Sequence, residues 1–168
     1  SRAVIFRRED LPTDKAQWKR IFQTVLGSPD PESKQLDGLG GGITSLSKIA
    51  ILSKSARPGI DVDYLFAQIE PTTSEMLLDA NCGNISSSVG PFARDEGWVT
   101  PDANGNAMVR IFNENTDKVI RSAFNDQLPA EDHIEISGVS GRHTPIKLTF
   151  EDPEGSMSPS AFPSNAKK

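Results

Sequence analysis

A single cysteine, Cys82, stands in Asn81-Cys82-Gly83-Asn84, just ahead of a stretch at 85–94 that opens with serines at 86, 87 and 88. A lone cysteine is more often a small buried hydrophobe than a reactive thiol. The setting here argues otherwise. A thiol at the start of a helix lies at the positive end of the helix dipole, which favours the thiolate. The first N–H groups of a helix lack intrahelical partners and bind anions such as a carboxylate. A thiol beside such a cradle suits proton transfer on an organic acid. Lys48 is the second candidate, in Thr44-Ser45-Leu46-Ser47-Lys48 at the mouth of the apolar run Ile49-Ala50-Ile51-Leu52. A partly desolvated amine gives up its proton more readily and becomes a usable base. The competing reading is a strand-edge lysine whose ammonium reaches solvent.

The remaining reactive types form no pattern. Gly38-Leu39-Gly40-Gly41-Gly42 lacks the Gly-Lys-Ser/Thr ending of a phosphate-binding loop and the Gly-x-Gly-x-x-Gly of a dinucleotide fold. It reads as a tight turn or as a close backbone approach to an organic ligand. His133 and His143 sit in polar segments without the acid and serine partners of a hydrolase triad. Asp61/Asp63 and Glu131/Asp132 are carboxylate pairs that a solvated face explains. One cysteine and two histidines leave little for a metal site, and no metal or organic cofactor is expected.

These residues need elements to hold them. Ala3–Arg7 is apolar and β-branched and reads as a strand. Trp18, Ile21, Phe22, Val25 and Leu26 form one stripe of an amphipathic helix, with Thr13 as its N-cap, Asp14 in its first turn and Gly27 closing it. Strands follow at 48–53 and 60–70, with a break at 71–74. The stretch 85–94 reads as a small-residue helix, weakened by Gly90-Pro91. Strands at 107–113 and 118–125 are joined by a turn at 114–117, and two more are expected at 134–137 and 145–151. Six or seven strands with two helices, not regularly alternating, favour an α+β architecture.

The chain has 168 residues, a net charge of −5, 36% hydrophobic and 24% charged residues. That fits one globular domain and argues against a basic nucleic-acid footprint. No apolar run approaches the ~20 residues that span a bilayer, so no membrane partner is expected. Residues 155–168, rich in Ser, Pro, Ala and Lys, read as a linker. With Ser1 in place of Met, they suggest an excerpt of a longer protein; the competing reading is a complete small protein with a processed start.

Several stretches in order resemble the PrpF family: Leu36-Asp37-Gly38-Leu39-Gly40-Gly41 with Ser47-Lys48-Ile49-Ala50-Ile51; Asp63-Tyr64-Leu65-Phe66-Ala67-Gln68-Ile69; Asn81-Cys82-Gly83-Asn84 with Val89-Gly90-Pro91-Phe92-Ala93; and Val109-Arg110-Ile111-Phe112-Asn113 with Asn115-Thr116. That family includes 2-methylaconitate cis–trans isomerases, methylitaconate and aconitate delta-isomerases and 4-oxalomesaconate tautomerases. The resemblance implies a diaminopimelate-epimerase-like lobe, a curved, barrel-like sheet around a central helix, over residues 1–154. Residues 155–168 would cross to a second lobe, and the active site would lie in the cleft between the two. The family's catalytic lysine falls on Lys48 and its cysteine on Cys82. Its serine-containing opening motif falls on Ser1, with Arg2 and Ala3 in place of the usual lysine and glycine.

The function implied is a cofactor-independent movement of a proton and double bond, by allylic shift or cis–trans isomerisation, in an unsaturated tricarboxylate such as 2-methylaconitate or aconitate. Lys48 and Cys82 would move the proton. Ser1, Gly83, Asn84, Ile85 and Ser86 would bind the substrate. The expected partner is a small unsaturated di- or tricarboxylate, with a homo-oligomer left open and the cytoplasm as the default location. Two other classes stay open: an amino-acid epimerase or racemase on the same fold, and a catalytically inactive binding paralogue.

Overall fold

Alternation of apolar side chains builds the strands, and the computed structural model describes residues 1–73, 75–78 and 81–151. The linker expected at 155–168 lies outside the described residues. The elements are β1 (Ala3–Arg7), α1 (Trp18–Leu26), β2 (Lys48–Lys54), β3 (Val62–Ile69), β4 (Met76–Leu77), α2 (Gly83–Asp95), β5 (Asn106–Asn113), β6 (Lys118–Asn125), β7 (Ile134–Glu135), β8 (Arg142–His143) and β9 (Lys147–Phe150). Two compact units result. Among the described residues, the first comprises Ser1–Ser53, Asp63–Ile85 and Asn113–Thr116; the second comprises Lys54–Val62, Ser86–Phe112 and 117–151.

In the first unit, β1 and β2 pair in parallel from Ala3↔Lys48 to Arg7↔Leu52. Parallel neighbours need a crossover, which α1 and the glycine loop supply. β3 lies on the other side of β2, and β4 pairs antiparallel with β3. One face of this sheet packs on α1: Ile49, Ile51, Ala67 and Ile69 meet Trp18, Phe22 and Leu26, with Val4 and Phe6 alongside. The Phe6 and Phe22 rings lie 5.3 Å apart, centre to centre. Because side chains alternate across a strand, the opposite face carries Ala3, Lys48, Phe66 and Gln68.

The start of α1 departs from expectation. Asp14, not Thr13, caps the segment: its carboxylate accepts from the Ala16 N–H at 3.0 Å, and a 3-10 turn over Lys15–Gln17 precedes the helix. Asp14 sits one residue before that turn, where a side-chain oxygen reaches the N–H two residues on. At the other end Gly27 adopts φ 73°, as its position predicted.

The glycine loop serves this same end of α1. The Leu39 and Gly40 N–H groups donate to the Val25 and Leu26 carbonyls at 2.8 and 3.1 Å. A Cβ on Gly38 would lie 2.1 Å from the Gly27 nitrogen, and one on Gly42 would lie 2.2 Å from the Ser33 carbonyl oxygen. The close approach is therefore to the chain's own backbone. Before it, Asp30 accepts from the N–H groups of Gln35, Lys34 and Glu32 at 2.7–2.9 Å. These donors, Gln35 foremost, hold its carboxyl below the usual carboxylate range.

In the second unit, β6 lies between β5 and β9, antiparallel to β9 with Ile120↔Phe150 in register. β7 and β8 form a separate short ladder, Ile134↔His143. His143 is thus in a strand, not a loop, although its Nε2 still meets the Ser140 carbonyl at 2.8 Å. Asp61 is not simply solvated, since it accepts from the Arg110 N–H at 2.7 Å. In neither unit does the strand order close on itself. The barrel-like closure expected above is therefore not found among the described residues, because closure requires the outermost strands to pair.

Helix α2 runs unbroken through Pro91. Gly90 explains how it seats: a Cβ there would lie 2.5 Å from the Ser122 Oγ on β6. The buried positions, Ile85, Ser86, Val89, Gly90 and Ala93, recur at helical spacing. Packing along this face offsets the hydrogen bond that Pro91 cannot donate.

Candidate active site

Lys48 opens β2, and the residue before it is tied down. The Ser47 hydroxyl donates to the Gln35 side-chain oxygen at 2.8 Å. The same oxygen accepts from the Gly42 N–H at 2.7 Å, and the Gln35 amide nitrogen donates to Ser28 Oγ at 2.8 Å. Gln35 is 2% exposed, so these bonds form away from water and cost more to leave unmade. From that fixed start Lys48 projects on the face opposite α1. Its Nζ donates to Gln68 Oε1 at 2.7 Å and stands 5.1 Å from the centre of the Phe66 ring. Lys48 is 7% exposed. The reading of an ordinary lysine reaching solvent does not hold.

Cys82 is half-buried, just before α2. Its Sγ lies 3.9 Å from the Ser1 Oγ, and the Asn84 side-chain nitrogen is 3.5 Å from the same oxygen. Asn81 accepts a 2.9 Å hydrogen bond from the fully buried Asn113, which anchors the backbone one residue ahead of the thiol. Asn113 also accepts from the Asn115 and Thr116 N–H groups at 2.9 and 3.1 Å. Asn115 in turn brackets β3, accepting from the Phe66 N–H at 2.7 Å and donating to the Phe66 carbonyl at 2.8 Å.

Ser1, Cys82 and Asn84 are thus brought together. Ser1 is two residues ahead of Ala3, the register partner of Lys48. Two residues of extended chain span roughly 7 Å, so this group and Lys48 occupy the same end of the β1–β2 pair. Gly83 is exposed, and a Cβ built on it would meet nothing within 4 Å. Ile85 and Ser86 are buried, and Ser86 belongs to the second unit. Sequence reasoning missed Gln35, Gln68, Asn113 and Asn115. For Gln68 a signal existed, since it falls two residues after Phe66 on one face of a strand.

Among the described residues, no group of three or more His, Cys, Asp or Glu side chains is placed to hold a metal ion. No helix among them is long and apolar enough to cross a membrane. The arrangement is an α+β chain with a shielded lysine and a serine–cysteine–asparagine corner at one end of a sheet. Such a site can move protons and hold an anion.

Comparison with known proteins gives the class. The PrpF protein family model matches residues 1–168, and the chain belongs to the PrpF family. It is 42% identical over 168 residues to the (4E)-oxalomesaconate Delta-isomerase of a Novosphingobium species, covering 98% of this chain and 46% of that protein. It is 40% identical over 164 residues to the 2-methyl-aconitate isomerase of Cupriavidus necator, covering 91% and 41%. The crystal structure of methylitaconate-delta-isomerase superposes with a TM-score of 0.81 at 34% identity, over 92% of this chain and 40% of that one. The chain therefore spans a little under half the length of these relatives.

Proposed function

We propose that the chain forms the lysine- and cysteine-bearing half of an isomerase that moves a proton and a double bond within an unsaturated di- or tricarboxylate. The observation that carries this reading is the shielded Lys48 at the same sheet end as the Ser1–Cys82–Asn84 corner. The names of the relatives support the substrate class, since they act on oxalomesaconate and methylaconitate.

In this reading a base takes a proton from the allylic carbon. The electron pair spreads into an extended dienolate ending on a carboxylate. A proton returned at the far carbon completes the double-bond shift, so no redox partner is needed. Lys48 removes or carries the proton, and Cys82 serves as the opposing acid. Ser1 and Asn84 hydrogen-bond the substrate. The N-terminal turn of α2, at Gly83, Asn84, Ile85 and Ser86, holds a substrate carboxylate and stabilises the charge that develops. The proposal extends to architecture: residues 1–154 act as one diaminopimelate-epimerase-like lobe, residues 155–168 lead to a second, and the cleft between them holds the substrate.

The test is proton NMR of the full-length protein that carries this chain, with aconitate, methylaconitate, methylitaconate and oxalomesaconate as candidate substrates. The expected result is conversion of at least one acid to its double-bond isomer. No conversion of any acid by the folded protein would contradict the proposal.

A further inference from the structure

We infer that Gln68 is the positioning residue for Lys48, and that its being an amide rather than a carboxylate keeps the lysine able to exchange its proton. This rests on the proton-transfer role proposed above for Lys48.

The identity and orientation of the Gln68 side chain follow from its two partners. Lys48 Nζ has N–H donors to offer, so the amide atom 2.7 Å from it must be the oxygen. That leaves the amide nitrogen facing Glu70, and it donates to Glu70 Oε1 at 3.3 Å. A carboxylate accepts from that nitrogen and cannot donate to an amide oxygen. Lysine, amide and carboxylate thus form an ordered chain in which the amide cannot flip without losing both bonds.

The order has a chemical consequence. Among the described residues, the ionisable groups at this end of the unit include Glu70 just after β3, Glu75, whose carbonyl accepts from the Glu70 N–H, Arg2 ahead of β1 and Cys82 ahead of α2. Glu70 is joined to Lys48 through Gln68. Were a carboxylate to stand in the place of Gln68, the ammonium would gain an ion pair in a site shielded from water, and the proton would be held more tightly. An amide oxygen accepts from an ammonium and also, more weakly, from a neutral amine. Gln68 therefore fixes the direction of Nζ in both protonation states. The Phe66 ring beneath and the tied-down Ser47 restrict the rest of the side chain.

The test is a swap. The double variant Gln68→Glu/Glu70→Gln keeps composition, net charge and side-chain sizes, but places the carboxylate directly on Lys48. Its pH–rate profile is compared with the parent in the full-length protein, with Lys48→Ala and Gln68→Leu alongside and a thermal melt of each. The expected result is a limb displaced to higher pH by about one to three units in the swap. Both a base and an acid role for Lys48 give that direction. Gln68→Leu is expected to lower kcat about ten- to a hundredfold with little change in KM, because the amine loses its orientation. An unmoved limb in a folded swap variant, with Lys48→Ala inactive, overturns the inference and leaves the proposed function standing. A Lys48→Ala variant that retains activity overturns both.

Discussion

Cys82 and Lys48 stood out as candidates from residue type, neighbours and the family resemblance, because a thiol before a small-residue helix and a lysine before an apolar strand each suggest a chemistry. The residues that aim them were not. Lys48 meets Gln68 20 positions away, Ser47 meets Gln35 12 away, Asn81 meets Asn113 32 away and Phe66 meets Asn115 49 away. A glutamine or asparagine carries no periodic signal, so its partner emerges once the strands are in register. The thiol itself is tested by Cys82→Ser, which is expected to lower turnover by at least about a hundredfold, as loss of a general acid does. Steady-state kinetics check this, and turnover within a few-fold of the parent would reduce Cys82 to a positioning group. At Gln35 the expected effect is on stability. Gln35→Leu leaves the Gly42 N–H and the Ser47 hydroxyl without their acceptor and is expected to cost about 1–3 kcal/mol in urea unfolding.

Among the elements, α1 was the most readable, because its apolar stripe repeats at helical spacing and Gly27 supplies a left-handed close. Its first turn was less so, since Thr13 and Asp14 are both competent caps and the preceding 3-10 turn decides between them. Helix α2 survives Pro91 for a reason of packing: Gly90 admits Ser122 of β6, a contact that no local rule reports. The strand Arg142–His143 is too short to show a period. Two measurements belong to these elements. Phe22 is fully buried between the sheet and Trp18, so Phe22→Ala is expected to destabilise the fold by about 3–5 kcal/mol, measured by chemical denaturation. Asp30 has its folded pKa depressed by backbone donors. The stability it contributes is present above the unfolded value of about 3.9 and is lost as pH falls through the lower folded value. Hydrogen exchange at the N–H groups of Glu32, Lys34 and Gln35 is expected to lose protection below about pH 4. Asp30→Asn is expected to remove most of that pH dependence, and an unchanged acid response in the variant would contradict the assignment.

Across the whole molecule, the α+β class was readable from strand and helix content, and the family from the ordered motifs, both of which the comparisons support. Sheet closure was not readable, since the pairing of outermost strands depends on long-range register rather than local pattern. The chain spans a little under half of its relatives, and the proposal places the substrate between this lobe and a second one. The central claim is that Lys48 moves the proton. The most direct test is deuterium incorporation from D₂O at the allylic carbon of the best substrate, followed by NMR in the full-length protein and in Lys48→Ala. Deuterium is expected to enter as the isomer forms, and both rates are expected to fall at least about a hundredfold together in the variant. Incorporation and isomerisation at parental rates in a folded Lys48→Ala protein would contradict it.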